Sequence, residues 1–312
     1  MSCRRAVSSA WACLLLLVAL LCAYCAAIDP QSPTSPDGPP LPPRPDEVTT
    51  LVGAGDVGVC DSDAPLATGR LLDHLSGTIF AAGDLAYQEG TAEQFLKCYE
   101  PAWGRHKSRT RPAPGNHEYY SPGAAPYFAY FGSSAGPPGL GYYRYASGNW
   151  QIYSLNSSIA GTQASAELQW LRSEMASQPS VCSLAYFHHP RFSSGPHGQM
   201  APVPVVRDLW SELYNSGVDI TIAGHEHFYE RFAPQTADGV ADPDYGIRQF
   251  VVGTGGAPLA PALRRVANSE VVLTSHGILK LTLEPQSYKW EFLSAEGGAV
   301  LDSGIGACHL RR

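Results

Sequence analysis

Short apolar runs recur along the chain, and polar residues follow most of them directly or after a small residue. Runs of four to eight apolar residues that are bounded by turn-forming residues predict buried β-strands. We therefore predict strands over residues 49–55, 78–83, 150–155, 183–187, 218–224 and 249–252.

Segments between these runs have the periodicity of amphipathic helices. Residues 165–177 and 205–216 each place apolar side chains on one helical face. The second segment stops before Gly217, and glycine commonly caps the C-terminus of a helix. Residues 66–75 and 91–103 have a weaker helical pattern.

Beyond Glu270 the pattern changes to the alternation of apolar and polar residues that is typical of β-strands. Strands and helices that alternate along the first two thirds of the chain predict an α/β fold. Open α/β sheets gather functional groups at the carboxyl ends of their strands. We therefore expect the polar residues that follow the apolar runs to meet in one site.

The N-terminal residues 1–27 are predicted to be a signal peptide. Arg4 and Arg5 precede a long uncharged stretch, and small residues offer a cleavage site after Ala27. An uncleaved anchor helix is the alternative, because the uncharged stretch is long enough to cross a bilayer. Residues 28–47 are rich in proline and predict a stiff polyproline II tether. The folded domain is then expected to span residues 48–312.

Composition excludes two classes of protein. The chain has 312 residues, of which 44% are hydrophobic and 16% are charged, and this balance excludes a disordered protein. The net charge is −7, which argues against binding to nucleic acid through a basic face. No nucleic-acid partner is expected, and a membrane partner is expected only if the N-terminal segment stays uncleaved.

Four cysteines remain once the predicted signal peptide is set aside, namely Cys60, Cys98, Cys182 and Cys308. In an exported protein, four cysteines suggest two disulfides with three possible pairings. We expect Cys60 to pair with Cys98 and Cys182 to pair with Cys308. This cysteine usage agrees with a secreted, periplasmic or cell-surface location.

Potential metal ligands concentrate in the turns after the predicted strands. Asp56, Asp84, His188, His225 and His227 offer carboxylate oxygens and imidazole nitrogens, which suit iron, zinc or manganese. A carboxylate such as that of Asp84 can bridge two ions about 3.5–4 Å apart, which is the geometry of two-metal hydrolysis. The pattern therefore predicts a dinuclear metal site.

Five sequence blocks resemble those of the calcineurin-like metallophosphoesterases, in the same order. They are GDVG (55–58), GDLAY (83–87), GNHE (115–118), AYFHHP (185–190) and GHEHFYER (224–231). More narrowly, they resemble the purple acid phosphatases. The resemblance implies a four-layer α/β/β/α sandwich with two mixed sheets, and it makes residues 48–312 the catalytic domain.

Two positions direct the resemblance to the purple acid phosphatase branch. Most metallophosphoesterases carry a ligand histidine in the first block, where this chain has Gly58. The second block supplies Tyr87, as in the purple branch. A phenolate is a hard anionic donor that favours Fe(III), whereas imidazole suits softer divalent ions.

The resemblance also implies a role for each matching residue. Asp56, Tyr87 and His227 are expected to hold Fe(III), and Asp84 to bridge the two ions. Asn116, His188 and His225 are expected to hold a divalent ion, which is zinc, iron or manganese. Among the remaining histidines, His117 is expected to bind substrate or donate a proton, His197 to act as a catalytic acid, and His189 to bind substrate.

The implied activity is hydrolysis of phosphate monoesters of small molecules. A metal-bound hydroxide attacks phosphorus in line, and His117 or His197 protonates the leaving alkoxide. One alternative is a phosphodiesterase or nucleotidase that uses the same metals. A second alternative is a non-catalytic metal-binding surface protein. The oligomeric state is left open.

Two further motifs have alternative interpretations. Asn156 begins a formal N-glycosylation sequon, but its place at a strand end favours coincidence. The segment Gly253–Gly256 is similar to a phosphate-binding loop but lacks the lysine and the helix start of a P-loop. We interpret this segment as a close approach of the backbone beside the metal site.

Overall fold

Thirteen strands are found in the computed structural model, which describes residues 47–177, 180–200 and 203–309. All of these residues lie within one compact unit. The strands are β1 (Thr49–Ala54), β2 (Thr78–Ala82), β3 (Thr110–Ala113), β4 (Tyr143–Ser147), β5 (Trp150–Ser154), β6 (Cys182–Phe187), β7 (Ile220–Ala223), β8 (Tyr229–Phe232), β9 (Arg248–Val252), β10 (Ser269–Leu273), β11 (Gly277–Leu283), β12 (Ser287–Ser294) and β13 (Val300–Ala307).

The strands form two mixed sheets. The six-stranded sheet has the order β13-β12-β11-β1-β2-β3, and β1, β2 and β3 are parallel to one another. The seven-stranded sheet has the order β10-β8-β9-β7-β6-β5-β4, and β5, β6, β7 and β9 are parallel. Strands β1, β2 and β3 of the first sheet and strands β6 and β7 of the second are the ones that lead into the five sequence blocks.

Six α-helices lie among the described residues. They are α1 (Ala64–Asp73), α2 (Ala92–Gln94), α3 (Glu100–Trp103), α4 (Ala125–Phe131), α5 (Gly161–Ser177) and α6 (Pro204–Asn215). A π-helix (Phe95–Tyr99) joins α2 to α3. Short 3₁₀ turns cover Gly104–Arg109, Glu118–Tyr120, Pro122–Ala124, Gly132–Ala135 and His197–Gln199.

Aromatic side chains pack the two sheets against each other. The ring of Tyr229 stacks on that of Phe292 at 4.1 Å, and Phe80 contacts Tyr186 at 6.0 Å between ring centroids. All four residues belong to one buried cluster in the central layer. A buried aromatic side chain removes more surface from water than a smaller apolar side chain does.

Helices cover the outer face of each sheet. Leu171 of α5 and Leu209 of α6 pack with Phe187 of β6 in a second buried cluster. On the other side, Leu72 of α1 packs with Leu281 of β11 in the central cluster. The layers are therefore helix, sheet, sheet and helix, and the predicted α/β/β/α class with two mixed sheets is confirmed.

The predicted elements agree with the structure except at short or interrupted segments. All six predicted strands and both periodic helices are present. Strand β3 was not predicted because Pro112 interrupts it, and proline is tolerated here because β3 is the edge strand of its sheet. The weak pattern over 91–103 corresponds to a helix that the π-turn interrupts.

Both expected disulfides are present. Cys60 is bonded to Cys98, and Cys182 is bonded to Cys308. Among the described residues, no helix has the length and apolar character that a membrane crossing requires. The predicted signal peptide and nearly all of the predicted tether, residues 1–46, lie outside the described residues.

Candidate metal centre

The candidate site lies at the carboxyl ends of the parallel strands of both sheets. Asp56 follows β1, Asp84 follows β2, His188 follows β6 and His225 follows β7. Asp56, Asp84 and His225 have positive φ values of 59°, 53° and 70°. This left-handed conformation is energetically unfavourable for residues other than glycine, and such backbone strain is concentrated at functional sites.

Three side chains form the first donor group. The Tyr87 hydroxyl donates to Asp56 Oδ1 at 2.7 Å and lies 3.3 Å from His227 Nε2. His227 Nε2 is in turn 3.3 Å from Asp56 Oδ1. These are the three side chains that the resemblance assigns to Fe(III).

A second donor group lies beside the first. His188 Nε2 is 3.0 Å from the amide oxygen of Asn116 and 3.1 Å from His225 Nδ1. Asp84 Oδ2 lies between the two groups, 3.0 Å from His188 Nε2 and 3.3 Å from the Tyr87 hydroxyl. The fold therefore brings all seven residues predicted as ligands together.

Backbone groups fix the orientation of the donor side chains. His188 Nδ1 contacts the carbonyl of Ala82 at 2.9 Å, and His227 Nδ1 contacts that of Pro258 at 2.9 Å. A ring nitrogen that bonds a carbonyl carries the proton, so Nε2 of each ring is left to face the site. This arrangement is typical of metal-binding histidines.

The second oxygen of each of the carboxylates Asp56 and Asp84 accepts a hydrogen bond from the backbone. Asp56 Oδ2 accepts from the backbone N–H of His225 at 2.7 Å, and Asp84 Oδ1 accepts from that of His117 at 2.9 Å. Each carboxylate therefore turns one oxygen toward the donor cluster and is held by the other.

Opposite charges balance within the cluster. Burial alone would lower the pKa of His188 and His227, but Asp84 and Asp56 respectively raise these two pKa values to about 9. Burial would raise the pKa of Asp56, but its contact with His227 and the charge of His188 lower it. The two carboxylates thus stabilise positive charge at the positions where cations would bind.

The other donors carry no charge in this arrangement. Burial and the two nearby carboxylates, Asp56 and Asp84, raise the pKa of Tyr87 well above its ordinary value. Burial and the charge of His188 lower the pKa of His225, and they lower that of His189 to about 3. Neutral imidazole is the form that coordinates metals, and a bound cation would reverse the effect on the phenol.

The donor set fits two metal ions. Asp56, Asp84 and His188 place one donor atom each within 4.8 Å of one another, and so do His188, His189 and His225. Carboxylate, phenol, amide and imidazole donors suit iron, zinc or manganese. His189 belongs to the second of these groups, although the resemblance assigns it to substrate binding and not to a metal ion.

Glycines allow the backbone to approach the carboxylates closely. A Cβ atom at Gly115 would lie 2.1 Å from Asp84 Oδ1, and one at Gly224 would lie 2.5 Å from Asp56 Oδ2. A Cβ atom at Gly253 would lie 2.8 Å from Asp56 Oδ2. The expected close approach of segment 253–256 beside the site is therefore present.

The three other candidate histidines surround the ligand cluster. His117 Nε2 is 3.7 Å from Asp84 Oδ2, and its side chain is 19% exposed. His197 is 49% exposed, and its ring lies 4.2 Å from that of His225. His189 is buried, its Nδ1 lies 2.9 Å from the Ser157 hydroxyl, and its role in substrate binding stays a prediction.

Two buried glutamates of the site were not identified from the sequence. Glu118 accepts hydrogen bonds from four backbone N–H groups, those of Asp84, Leu85, Ala86 and Gly115. Glu226 accepts from the N–H groups of His197 and Gly198. Both lie inside sequence blocks that carry proposed ligands, but nothing in the local sequence shows which backbone segments they contact.

Asn156 is engaged within the fold. It is fully buried, and its side-chain nitrogen donates to the Tyr119 hydroxyl at 2.7 Å and to the Leu140 carbonyl at 2.9 Å. A glycan on this nitrogen would have to replace both bonds. The coincidental interpretation of the sequon therefore agrees with the structure.

Comparison with known proteins defines the class. A family model described as calcineurin-like phosphoesterase matches residues 51–229, which is more than half of the chain. The chain belongs to the calcineurin-like phosphoesterase family. Its fold is purple acid phosphatase-like: it is similar to purple acid phosphatase PPD1 from yellow lupin (Lupinus luteus) seeds, with a TM-score of 0.75 and 20% identity, over 85% of this chain and 54% of that chain.

Other relatives share the fold at low identity. GAP50, described as the anchor in the inner membrane complex of Plasmodium, is 12% identical over 85% of this chain and 90% of that chain, with a TM-score of 0.67. A dimetal phosphatase from Danio rerio is 14% identical over 83% of this chain and 99% of that chain, with a TM-score of 0.57.

The curated relatives are longer proteins. An uncharacterized protein found in two strains of Mycobacterium tuberculosis is 23% identical over 202 residues. The match covers 54% of this chain and 37% of the relative. The chain therefore matches little more than a third of the length of these relatives.

Proposed function

We propose that this chain is an exported phosphatase that uses two metal ions to hydrolyse phosphate monoesters of small molecules. The carrying observation is the position of Asp84 Oδ2, within 3.3 Å of the Tyr87 hydroxyl and 3.0 Å of His188 Nε2. A carboxylate between two donor groups is the arrangement that bridges two ions.

Seven side chains would hold the two ions. Asp56, Tyr87 and His227 would bind Fe(III), and Asp84 would bridge it to the second ion. Asn116, His188 and His225 would bind that second ion, which is zinc, iron or manganese. When bound, the ions supply Lewis acidity toward the phosphoryl oxygens and lower the pKa of water.

The chain's own histidines would handle the substrate. His117 is partly exposed beside Asp84, so its ring can donate a hydrogen bond to a phosphoryl oxygen. His197 is half exposed on the other side of the cluster, next to His225, and can deliver a proton to the leaving alcohol. His189 lies behind His225, where it would support substrate binding.

Export is supported by the two disulfides. Cys60–Cys98 and Cys182–Cys308 use all four cysteines of the proposed mature chain. Structural disulfides persist in oxidising compartments and are rare in the cytosol. We therefore propose a secreted, periplasmic or cell-surface location.

Hydrolysis of a model monoester and a model diester tests the reaction class. We expect the metal-loaded protein to hydrolyse p-nitrophenyl phosphate much faster than bis(p-nitrophenyl) phosphate. Turnover of the diester alone would favour the phosphodiesterase alternative. Turnover of neither ester would favour the alternative of a non-catalytic metal-binding surface protein.

Substitution of proposed ligands tests the site. Asn116→Ala and His188→Ala are expected to lower kcat/KM at least about 100-fold, since loss of outer partners of a metal site already costs about 10–100-fold. His74→Ala is the matched control, because His74 is exposed and lies outside the proposed site. Unchanged activity in both ligand variants would overturn the assignment.

A further inference from the structure

Glu226 stands between the proposed ligands His225 and His227 in the chain, but its carboxylate contacts a different segment. The residue is 1% exposed. Oε1 accepts from the backbone N–H of His197 at 2.9 Å and from that of Gly198 at 3.1 Å. Oε2 lies 3.4 Å from His197 Nδ1. One oxygen thus bonds the backbone of His197 and Gly198, and the other lies close to the His197 ring.

The fold makes room for this contact. A Cβ atom at Gly195 would lie 2.3 Å from Glu226 Oε2, so a side chain at this position would displace the carboxylate from its present place. A second buried glutamate, Glu230, accepts from the N–H of Ser194 at 2.9 Å in the same segment. Both glutamates belong to the block that carries His225 and His227. The ligand block and the segment 194–198 are therefore fastened together at two points.

The position of His197 depends on these hydrogen bonds because its own side chain is half exposed. Its ring lies against that of His225 at 4.2 Å between centroids. The 3₁₀ turn that contains it, His197–Gln199, is a single turn, too short to be stable by itself. The carboxylate of Glu226 satisfies N–H groups at the start of this turn, as a capping residue does.

We propose that Glu226 is a positioning residue that holds His197 over the leaving-group side of the metal centre. This inference rests on the proposed phosphatase function for its kinetic consequence, but the contact itself does not depend on activity. The carboxyl group of Glu226 fixes the backbone of His197 and Gly198 through two hydrogen bonds, and its other oxygen lies beside the His197 ring. Geometric restraint of a proton donor contributes directly to the rate of proton transfer.

Hydrogen exchange tests the contact without any substrate. In Glu226→Ala the amides of His197 and Gly198 are expected to exchange faster than in the wild-type protein, by about 10-fold or more. Glu226→Gln keeps an oxygen acceptor and is expected to retain the protection. Glu167→Gln, a change at a buried glutamate elsewhere, is the matched control and should leave this segment unchanged. Equal exchange in wild type and Glu226→Ala would overturn the proposal.

A leaving-group comparison tests the kinetic role. Glycerol phosphate needs a proton on its leaving alkoxide far more than p-nitrophenyl phosphate does. Glu226→Ala is expected to lower kcat for glycerol phosphate about 10–100-fold and to affect p-nitrophenyl phosphate much less. In a His197→Ala background, Glu226→Ala should lower kcat for glycerol phosphate less than about twofold, because both substitutions remove the same function.

The contrary outcomes are distinct. Equal losses for both esters, undiminished in the His197→Ala background, would mean that Glu226 acts on the ligands His225 and His227, and would overturn the proposal. If the wild-type protein hydrolysed neither ester, the phosphatase function would fail. The exchange rates alone would then decide whether Glu226 holds the segment.

Discussion

At the scale of a single residue, Glu167 is a buried carboxyl group of which only one oxygen accepts a hydrogen bond among the described residues. It lies on α5 and is fully buried, and Oε1 accepts from the backbone N–H of Asn156 at 2.6 Å. Oε2 has no hydrogen-bond partner among the described residues. Burial raises the pKa of Glu167 to about 8, so the folded protein keeps this carboxyl protonated at neutral pH.

The raised pKa predicts a pH-dependent stability. The unfolded chain releases this proton near pH 4.5, whereas the folded chain keeps it up to about pH 8. The contribution of Glu167 to stability is therefore complete below pH 4.5 and is lost as the pH rises to about 8. Relative to Glu167→Gln, the wild-type protein should lose a few kcal/mol, on the order of 4, across this window.

Urea unfolding of both proteins at pH 5 and pH 8, under the same metal conditions, measures this difference. As the pH rises, the free energy of unfolding of the wild-type protein is expected to fall relative to that of the glutamine variant. Parallel pH dependence of the two unfolding free energies would contradict the assignment.

Single residues also mark where sequence reasoning ended. The seven proposed ligands could be predicted because five sequence blocks resemble those of a known family in a fixed order. Glu118, Glu226 and Ser157 could not, because each acts on backbone N–H groups from another part of the chain. A contact of this kind depends on the folded distance between segments, and no local pattern records it.

At the scale of elements, the disulfide between Cys182 and Cys308 connects the start of β6 with the end of β13. These strands belong to different sheets. The bond closes a sequence separation of 126 residues, whereas Cys60–Cys98 closes 38 residues. A longer closed loop removes more conformational entropy from the unfolded chain.

Paired alanine substitutions test the two cross-links. Loss of Cys182–Cys308 should lower the free energy of unfolding by about 5 kcal/mol, and loss of Cys60–Cys98 by about 4 kcal/mol, on the chain-entropy relation. Denaturant unfolding of the two double variants under non-reducing conditions gives both values. A smaller effect for the pair Cys182→Ala and Cys308→Ala would contradict the entropic ranking.

Elements with a strong period could be predicted, and those shaped by their neighbours could not. Strands β6 and β7 are buried apolar runs, and their existence follows from composition alone. Strand β4 is only half buried and has no clean alternation, so pairing with β5 determines it. The π-turn Phe95–Tyr99 shifts the helical phase and hides the apolar face of its segment.

At the scale of the whole molecule, two sheets face each other and place their parallel strands at one common end. The first sheet contributes Asp56, Asp84 and Asn116, and the second contributes His188 and His225. The four-layer class follows from the resemblance to known motifs. The pairing of β11 with β1, which builds the first sheet from both ends of the domain, is a long-range contact that the local pattern does not contain.

The whole molecule is also acidic, with a net charge of −7. An acidic surface repels phosphate esters at long range. Attraction of the substrate must therefore come from the site itself, where bound cations would exceed the charge of the ligands. Under the proposed function, phosphate binding would therefore rest on the metal ions and on the histidines beside them.

Metal content and visible absorption of the purified full-length protein test the central claim most directly. We expect two metal ions per chain, one of them iron, and a tyrosinate–Fe(III) absorption band that Tyr87→Phe abolishes. Tyr245→Phe, a change at an exposed tyrosine, should keep the band. A colourless protein that binds only zinc or manganese would contradict the purple acid phosphatase assignment, and a protein that binds fewer than two ions would contradict the dinuclear site.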